Sequence, residues 1–405
     1  MSAVGLYQAL GLDGYRVLDT WQSDGRVQVL IEAPREALRC RSCGCSRVHV
    51  HDRVLRTWQA VPIGMLPVEV LMSSPRVKCL NCGAKTWHQP TFVNGQRRIT
   101  KCFEAFIERQ LSRLTIQDIV EMFGLSWNTV CEIDYARLQK LSRPGVKGLR
   151  RLAIDENYLG RRHGFVTVVL DLDTKAIVSV LKGRGQAALA PFFSKLKQAE
   201  AQIEAVAIDM AGGYIAAVQK SLPNAALVFD HFHVVKLMNE KLTALRREMY
   251  HELTDKRHKK VLKGTRWLLV MNPENLKQNA KVDERARLKE ALQLNESLST
   301  AYYLKEDLRQ FWNQRSKSAA EKFLDGWCRR AEASGIRQLH TLAKTLRTNR
   351  NGLLNWYDHP ISTGPLEGIN NKIGALQRRA YGYRHYDHLK ERLLTLHHTK
   401  FSLKG

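Results

Sequence analysis

Two short cysteine motifs restrict this chain most: Cys40-Arg41-Ser42-Cys43-Gly44 and Cys79-Leu80-Asn81-Cys82-Gly83, both of the form C-x-x-C-G. Two such knuckles supply four thiolates, the tetrahedral set that Zn²⁺ takes in a closed structural site. The glycine after each second cysteine lets the turn pass through positive φ and directs backbone N–H groups at sulfur. With 35 residues between Cys43 and Cys79, the ligands converge only if the intervening chain doubles back as a hairpin. Val68-Glu69-Val70-Leu71-Met72 reads as a strand of that region. Val27-Gln28-Val29-Leu30-Ile31, ended by Pro34, reads as a strand of a β-rich lead-in. Cys45 stands as an alternative to Cys43, with His49 and His51 as outside candidates. Four thiolates leave no open coordination position, so the expected zinc is structural rather than catalytic.

Five of the eight cysteines fall within residues 40–82, a distribution that suits metal and not a disulfide framework. At roughly 100–200 residues per domain, a chain of 405 residues suggests two to four domains. Apolar residues make up 44%, which excludes wholesale disorder. Lys and Arg number 64 against 39 Asp and Glu, a formal charge of +25. A chain so basic repels itself, and polyanion binding is the usual reason to tolerate that, with nucleic acid ahead of a membrane surface. No stretch approaches the roughly 18 apolar residues of a membrane span; the run Phe165–Leu170 ends at Asp171. Met1–Gly14 lacks a basic region followed by an apolar one, so export is not expected and a cytoplasmic location is.

The pattern turns helical over residues 99–142, with Phe103, Phe106, Ile107 and Leu111 at helical spacing. Within it, Thr115–Val130 has the layout of a helix-turn-helix. Ile119, Val120 and Phe123 form the inner face of the first helix, Gly124 permits the turn, Leu125 plugs the angle and Ser126 caps the second helix. That second helix is expected to present Trp127, Asn128 and Glu132 or Arg137 outward, its first turn nearest the base edges. An ordinary αα-corner shares this outline; the knuckles and the charge favour DNA.

Residues 142–148 form a breaker-rich linker, after which the chain changes character. Leu152–Ile154, Gly164–Leu170 and Ala176–Leu181 read as three strands in a meander, followed by alternating helix and strand up to Phe229: a mixed α/β sheet. From His231 to about Leu354 the spacing of Leu237, Leu242, Leu245 and Met249, and of Leu304, Leu308 and Phe311, is helical throughout. Trp267, Trp312 and Trp327 in this block read as core.

Three carboxylates stand out by their surroundings. Asp155 follows the strand Leu152–Ile154, and Asp209 follows Ala205–Ile208; carboxylates at strand ends project into one crevice of an α/β sheet. Two brought together favour a cation between them, and Mg²⁺ is the natural one. Pro365 suits a first helical position, which places Glu367 in a first turn, with Leu366, Ile369, Ile373 and Leu376 as the apolar stripe and Asn371 one turn on. Taken singly, each acid has a structural explanation: a turn residue, an N-cap and a dipole-complementing acid. Arg378-Arg379-Ala380-Tyr381-Gly382-Tyr383-Arg384 mixes cations with aromatics as a groove tracking a strand would, or ends a helix in solvent.

The order of these features is similar to that of the bacterial insertion-sequence transposases of the ISL-three family. It runs from the knuckles and the helix-turn-helix through Ile154-Asp155-Glu156, Ile208-Asp209-Met210 and Asp230-His231-Phe232-His233 to Gly364-Pro365-Leu366-Glu367-Gly368-Ile369-Asn370-Asn371-Lys372-Ile373. The resemblance implies a multidomain α+β chain: a β-rich zinc module over 1–93, a helix-turn-helix over 99–142, and an RNase H-like catalytic core. That core would run over 150–232 and 356–405, interrupted by an all-helical insertion at 233–355. It further implies an Asp-Asp-Glu triad at Asp155, Asp209 and Glu367 with two Mg²⁺ per site, or Mn²⁺ in their place. His233 would position a scissile phosphate or cap the core, while Asn371 and Lys372 would hold Glu367 or touch DNA with Arg378, Arg379, Tyr383 and Arg384. The implied partners are the element's terminal inverted repeats, target DNA and a second copy of the chain, in a nucleoid-associated bacterial protein. Two other activities share these features: a DNA-binding regulator with a relic core, and a nuclease that cuts without joining.

Overall fold

Strand β4 (Leu66–Cys79) shows how the N-terminal part holds together: Val68, Val70 and Met72 alternate inward and are fully buried, while their neighbours face out. It pairs antiparallel with β3 (Val48–Ile63) in a long hairpin and parallel with β2 (Arg26–Glu32), whose other edge carries β1 (Arg16–Ser23). A short β5 (Lys85–Trp87) extends the far end of β4. Trp58 and Phe92 meet edge to face at 5.3 Å in the core beneath. The hairpin is longer than the sequence patterning suggests because residues 51–55 of β3 are exposed and carry no alternation.

The computed structural model describes residues 7–141, 143–210, 212–277 and 283–398. After the sheet come α1 (Lys101–Gln110), α2 (Ile116–Phe123) and α3 (Trp127–Lys140), packed on Phe103, Ile107, Leu111, Ile119, Leu125 and Ile133.

The second sheet has the order β10-β9-β6-β7-β8. Its strands are β6 (Arg151–Tyr158), β7 (Phe165–Asp171), β8 (Ile177–Lys182), β9 (Ala205–Ile208) and β10 (Ala226–Phe229). The meander β6–β8 is antiparallel, while β9 joins β6 and β10 joins β9 in parallel. This is the mixed order of an RNase H-like sheet. Helices α4 (Gln186–Gln198) and α5 (Gly212–Ser221) provide the crossovers. Six of the seven residues of β7 are buried, the mark of a strand covered on both faces.

The chain leaves the sheet at Asp230 and runs through α6 (His231–Glu252), α7 (Lys256–Gly264), α8 (Arg266–Val270), α9 (Glu284–Gln293), α10 (Glu296–Leu308), α11 (Lys317–Ala333) and α12 (Arg337–Thr348). It returns at α13 (Arg350–Leu354), where Gly352 lies so close to Phe229 of β10 that a Cβ would sit 2.2 Å from the ring. Asn355 Nδ2 donates to Leu227 O at 2.9 Å, so the insertion starts and ends on one strand. Trp327 is core, its Nε1 bonded to Leu304 O, but Trp267 is 66% exposed, contrary to its helical spacing. Then follow α14 (Gly364–Arg379) and α15 (Tyr386–Leu394).

By internal packing the chain forms two compact units: Met1–Ser142 with Arg378–Gly405, and Arg143–Gln377. The segment 356–405 contributes to both compact units. Its last part joins the N-terminal unit because α15 buries Leu389 and Leu393 there and packs on α3.

Candidate active site and metal centre

The four knuckle cysteines meet. Cys40 Sγ lies 3.6 Å from Cys82 Sγ, Cys43 Sγ lies 3.5 Å from Cys79 Sγ, and all four sulfurs fall within 4.8 Å of one another. Ligands about 2.3 Å from a central zinc would be spaced about 3.8 Å apart at tetrahedral angles, so the donor set fits zinc. The β3–β4 hairpin produces this meeting, since Val48 at its start pairs with Cys79 at its end. The knuckles are built alike: Cys40 N donates to Cys45 O and Gly44 N to Cys40 O, as Cys79 N does to Ala84 O and Gly83 N to Cys79 O. The Cys82 N–H aimed at Cys79 Sγ holds that thiol down at about 6. Cys82 is pushed up to about 12: the Ala84 N–H favours its thiolate, but the sulfurs of Cys43, Cys40 and Cys79 oppose it. Four thiolates this close need a cation. Cys45 lies outside, its Sγ accepting from Arg47 N, and His51 is bonded to Lys85.

In the helix-turn-helix, Thr115 and Asp118 form a capping box, Gly124 adopts φ 62°, and Ser126 Oγ accepts from Thr129 N at 3.1 Å. Asn128 is exposed in the first turn of α3. Two residues expected to face outward are engaged within the unit. Trp127 is half-buried beneath the Arg384 guanidinium at 5.7 Å, and Arg137 donates to Asp134 at 2.8 Å. Asp134 is fully buried; it also accepts from Arg392 Nε at 2.9 Å and bonds His388 Nε2 at 2.5 Å. Burial alone would raise its carboxyl, but Arg392, His388 and Arg137 together hold it at about 2. The reason for the inward turn of Arg137 is this anion, which sequence spacing did not single out. Tyr383 packs edge-on against His388, while Arg378, Arg379 and Arg384 are exposed.

In the second unit, Ala153 of β6 pairs with Ala207 of β9, and Asp155 and Asp209 each lie two residues further on. The pairing ends there and β9 ends at Ile208, so Asp209 leaves the strand end beside β6, near enough for its charge to act on Asp155. Asp155 sits within β6 and not after it, because pairing with β7 continues to Tyr158. Its Oδ2 accepts from Asn370 Nδ2 at 2.9 Å, and Asn370 Oδ1 accepts from Asn157 Nδ2 at 2.9 Å. With Gln377 Nε2 on Leu159 O, these bonds fasten α14 along β6. Glu367, exposed, stands three residues before Asn370 on the same helix. Burial pushes the Asp155 carboxyl up and the Asp209 charge adds to it, against the Glu156 N–H, His233 and Asn370.

Asp230, 1% exposed, ties the crevice together: one oxygen accepts from Thr363 N at 3.3 Å, just before α14, and the other faces His233 Nδ1 at 3.2 Å. The Asp230 bond raises His233, and the charges of Asp155 and Asp209 add to it. Helical spacing points to Asn371, at i+4 from Glu367, whereas Asn370, at i+3, makes the bond to Asp155, and Asp230 joins His233 to Thr363. Asn371 and Lys372 are exposed. Among the described residues, the four sulfurs are the one group of three or more His, Cys, Asp or Glu donors all within 4.8 Å of one another. Asp155 and Asp209 are near enough to act on one another by charge, and Glu367 is exposed on the helix that Asn370 fastens to Asp155.

Comparison with known proteins adds the family. The ISL3 transposase model, of the DDE type, matches residues 152–393. The chain belongs to the ISL3 transposase family. Two further models match the N-terminal unit: the helix-turn-helix domain of transposase family ISL3 over residues 89–136, and the zinc-finger of transposases IS204, IS1001, IS1096 and IS1165 over residues 36–82. Among curated relatives, the transposase for insertion sequence element IS1001 from Bordetella parapertussis is 32% identical over 390 residues, covering 95% of this chain and 94% of its own. The transposase for IS1557 from Mycobacterium tuberculosis is 28% identical over 421 residues, covering 95% and 93%. Among solved structures, the Drosophila P element transposase strand transfer complex aligns over 78% of this chain and 94% of its own, with 12% identity and a TM-score of 0.37, an overlap too low to argue from. No helix among the described residues is long and apolar enough to cross a membrane.

Proposed function

We propose that this member of the family is the transposase of an insertion sequence, binding the element's terminal inverted repeats and carrying out Mg²⁺-dependent DNA strand cleavage and 3′-end strand transfer. The observation that carries the reading is the register pairing Ala153 of β6 with Ala207 of β9, each two residues before Asp155 or Asp209, with the helix of Glu367 fastened to Asp155 through Asn370.

The donor set suits a hard divalent cation: the carboxylates of Asp155, Asp209 and Glu367 are oxygen ligands, and the crowding that raises Asp155 is relieved by positive charge. Bound there, two Mg²⁺ would activate a water or 3′-hydroxyl and stabilise the leaving 3′ oxygen. Asn370 and Asn157 orient Asp155 towards that position. Asp230 orients His233 through Nδ1, which leaves Nε2 to donate to a non-bridging phosphate oxygen. Asn371 and Lys372, exposed on α14, supply positive charge and donors for the strand that enters, while Arg378 and Arg379 add positive charge to the N-terminal unit.

In the N-terminal unit, zinc held by Cys40, Cys43, Cys79 and Cys82 sets the hairpin, and Asn128 is the residue placed to read a base edge. Trp127 and Arg384 form a cation–aromatic shelf beside it, with Tyr383 supporting that shelf through His388. Arg137 acts as a positioning residue. Because two element ends must be held at once, the working form is a homodimer or larger, acting in the bacterial cytoplasm at the nucleoid.

The test uses labelled DNA from the element's own ends and a target plasmid, with Mg²⁺ or EDTA, beside Glu367→Gln. Metal-dependent 3′-end joining that disappears in the variant is the expected result. End binding without cutting in Mg²⁺ or Mn²⁺ would indicate a regulator, and cutting without joining a nuclease.

A further inference from the structure

The helical insertion uses its cations in two ways. In its later helices they are matched with acids: Arg309 with Glu274 and Glu306, Arg330 with Asp307, Arg347 with Glu332, and Arg350 with Glu321 and Asp325. Helix α7 is different. Lys256, Lys259, Lys260 and Lys263 fall at i, i+3, i+4 and i+7 in a single stripe; Lys256, Lys260 and Lys263 are exposed, while Lys259, half-buried, lays its ammonium over the Tyr250 ring at 5.7 Å. Among the described residues, no carboxylate lies within 4.0 Å of any of these four ammonium groups. Asp255, the nearest acid in sequence, is engaged at the helix N-cap, accepting from Arg257 N.

The surroundings add positive charge. Arg246, 8% exposed, donates to Leu262 O at 3.1 Å, and Arg287 donates to Gly264 O at 3.1 Å, so two guanidinium groups close the end of α7. Just beyond, Trp267 is exposed with the Arg266 guanidinium 4.7 Å above its ring. Like charges at i, i+4 oppose helix formation. A lysine stripe without counter-charges, beside an exposed indole that helical spacing would have buried, is therefore a cost to this fold.

We propose that α7 with Arg266 and Trp267 is a second DNA-docking surface, gripping the phosphate backbone of duplex DNA without reading its sequence. The proposal rests on the transposase reading above. Charge complementarity names the partner: duplex DNA carries one negative charge per ~1.7 Å of axis, an anionic array that a lysine stripe along two helical turns would neutralise in part, with the indole free to lie against sugar. Position fits as well. His233, near Asp155 and Asp209, begins α6, and α7 follows the end of that helix. At ~1.5 Å per residue the two lie about 30 Å apart along α6. That is the length of about nine base pairs at ~3.4 Å each, so one duplex can reach from the crevice to the stripe.

The experiment uses full-length protein carrying Lys256→Gln, Lys259→Gln, Lys260→Gln and Lys263→Gln. A charge-matched control carries Lys195→Gln, Lys197→Gln, Lys220→Gln and Lys322→Gln, all exposed in the same unit. Binding to a random-sequence duplex is titrated over a range of salt. The slope of log affinity against log salt is expected to fall by about 2–4 in the stripe variant and by less than about 1 in the control. Element-end duplexes that stop within about nine base pairs of the cleaved bond are expected to bind both variants alike, and longer ones to bind the stripe variant more weakly. Equal slopes for stripe variant and control, with end binding and joining intact, would overturn the docking surface alone. A wild-type protein that binds neither duplex would overturn the transposase reading with it. Two further results would overturn the proposal: a stripe variant that melts below wild type, making the lysines structural, or loss of binding only to phosphatidylserine vesicles.

Discussion

The thiol cluster and the carboxylates of the second unit, proposed above as the catalytic metal ligands, are assembled in opposite ways. The sulfurs sit on two turns of one hairpin, each turn closed by its own backbone bonds, and they already lie at coordination spacing. The carboxylates come from a strand, the end of a second strand and a helix more than 150 residues further along the chain, and do not form such a cluster. On the proposed reading, the difference separates a metal that is part of the fold from metals that would take part in the work. A structural site is finished by local geometry, whereas a reacting site keeps room for a phosphate among its ligands.

The largest expected effect breaks the first half of the comparison. Cys79→Ser removes a thiolate whose partners cannot coexist without a cation. It should abolish stoichiometric zinc, lower the stability of the N-terminal unit by several kcal/mol and eliminate end binding. Unchanged zinc content by atomic emission would refute the assignment. Next, Asp155→Asn should lower strand cleavage by at least ~10³-fold, with end affinity and melting temperature preserved. A melting temperature that falls as far as in Cys79→Ser would mean that the crevice, too, is structural.

A third prediction concerns the ion cluster of the N-terminal unit. Asp134→Ala leaves His388 and Arg392 buried without an anion and should cost about 3–5 kcal/mol, read by denaturant unfolding. Its pH dependence has a definite sign. The folded carboxyl is held at about 2, below its unfolded value. Its contribution is therefore complete above the ordinary carboxylate range and is lost as pH falls towards 2. Wild type should lose stability in that acid window more steeply than Asp134→Asn. The smallest effect is Ser126→Ala, about 1 kcal/mol through the lost N-cap, with zinc content and cleavage chemistry intact.

Much of this was legible in the sequence, and the exceptions share a cause. The knuckles announced their hairpin because four thiolates have one way to satisfy themselves. The strand meander from Leu152 to Leu181 and the caps at Thr115 and Ser126 were readable because local patterning decides them. Partnerships set by long-range packing were not readable. Nothing near Arg137 indicates that Asp134 is buried with Arg392, 258 residues away. Nothing in helical spacing distinguishes Asn370 from Asn371 as the partner of Asp155. Trp267 has the spacing of a core residue but sits where the insertion turns a corner.

That separation of 258 residues between Asp134 and Arg392 also sets a clock. At roughly 5–20 residues per second of synthesis, α15 emerges some 13–50 s after α3. Until then Asp134 has Arg137 of its own helix as a partner but lacks His388 and Arg392. A nascent chain can form its zinc hairpin early, but its N-terminal unit is completed only after the second sheet, the insertion and Arg392 have all left the ribosome. Chains cut short by a premature stop would then lack a finished N-terminal unit as well as a tail.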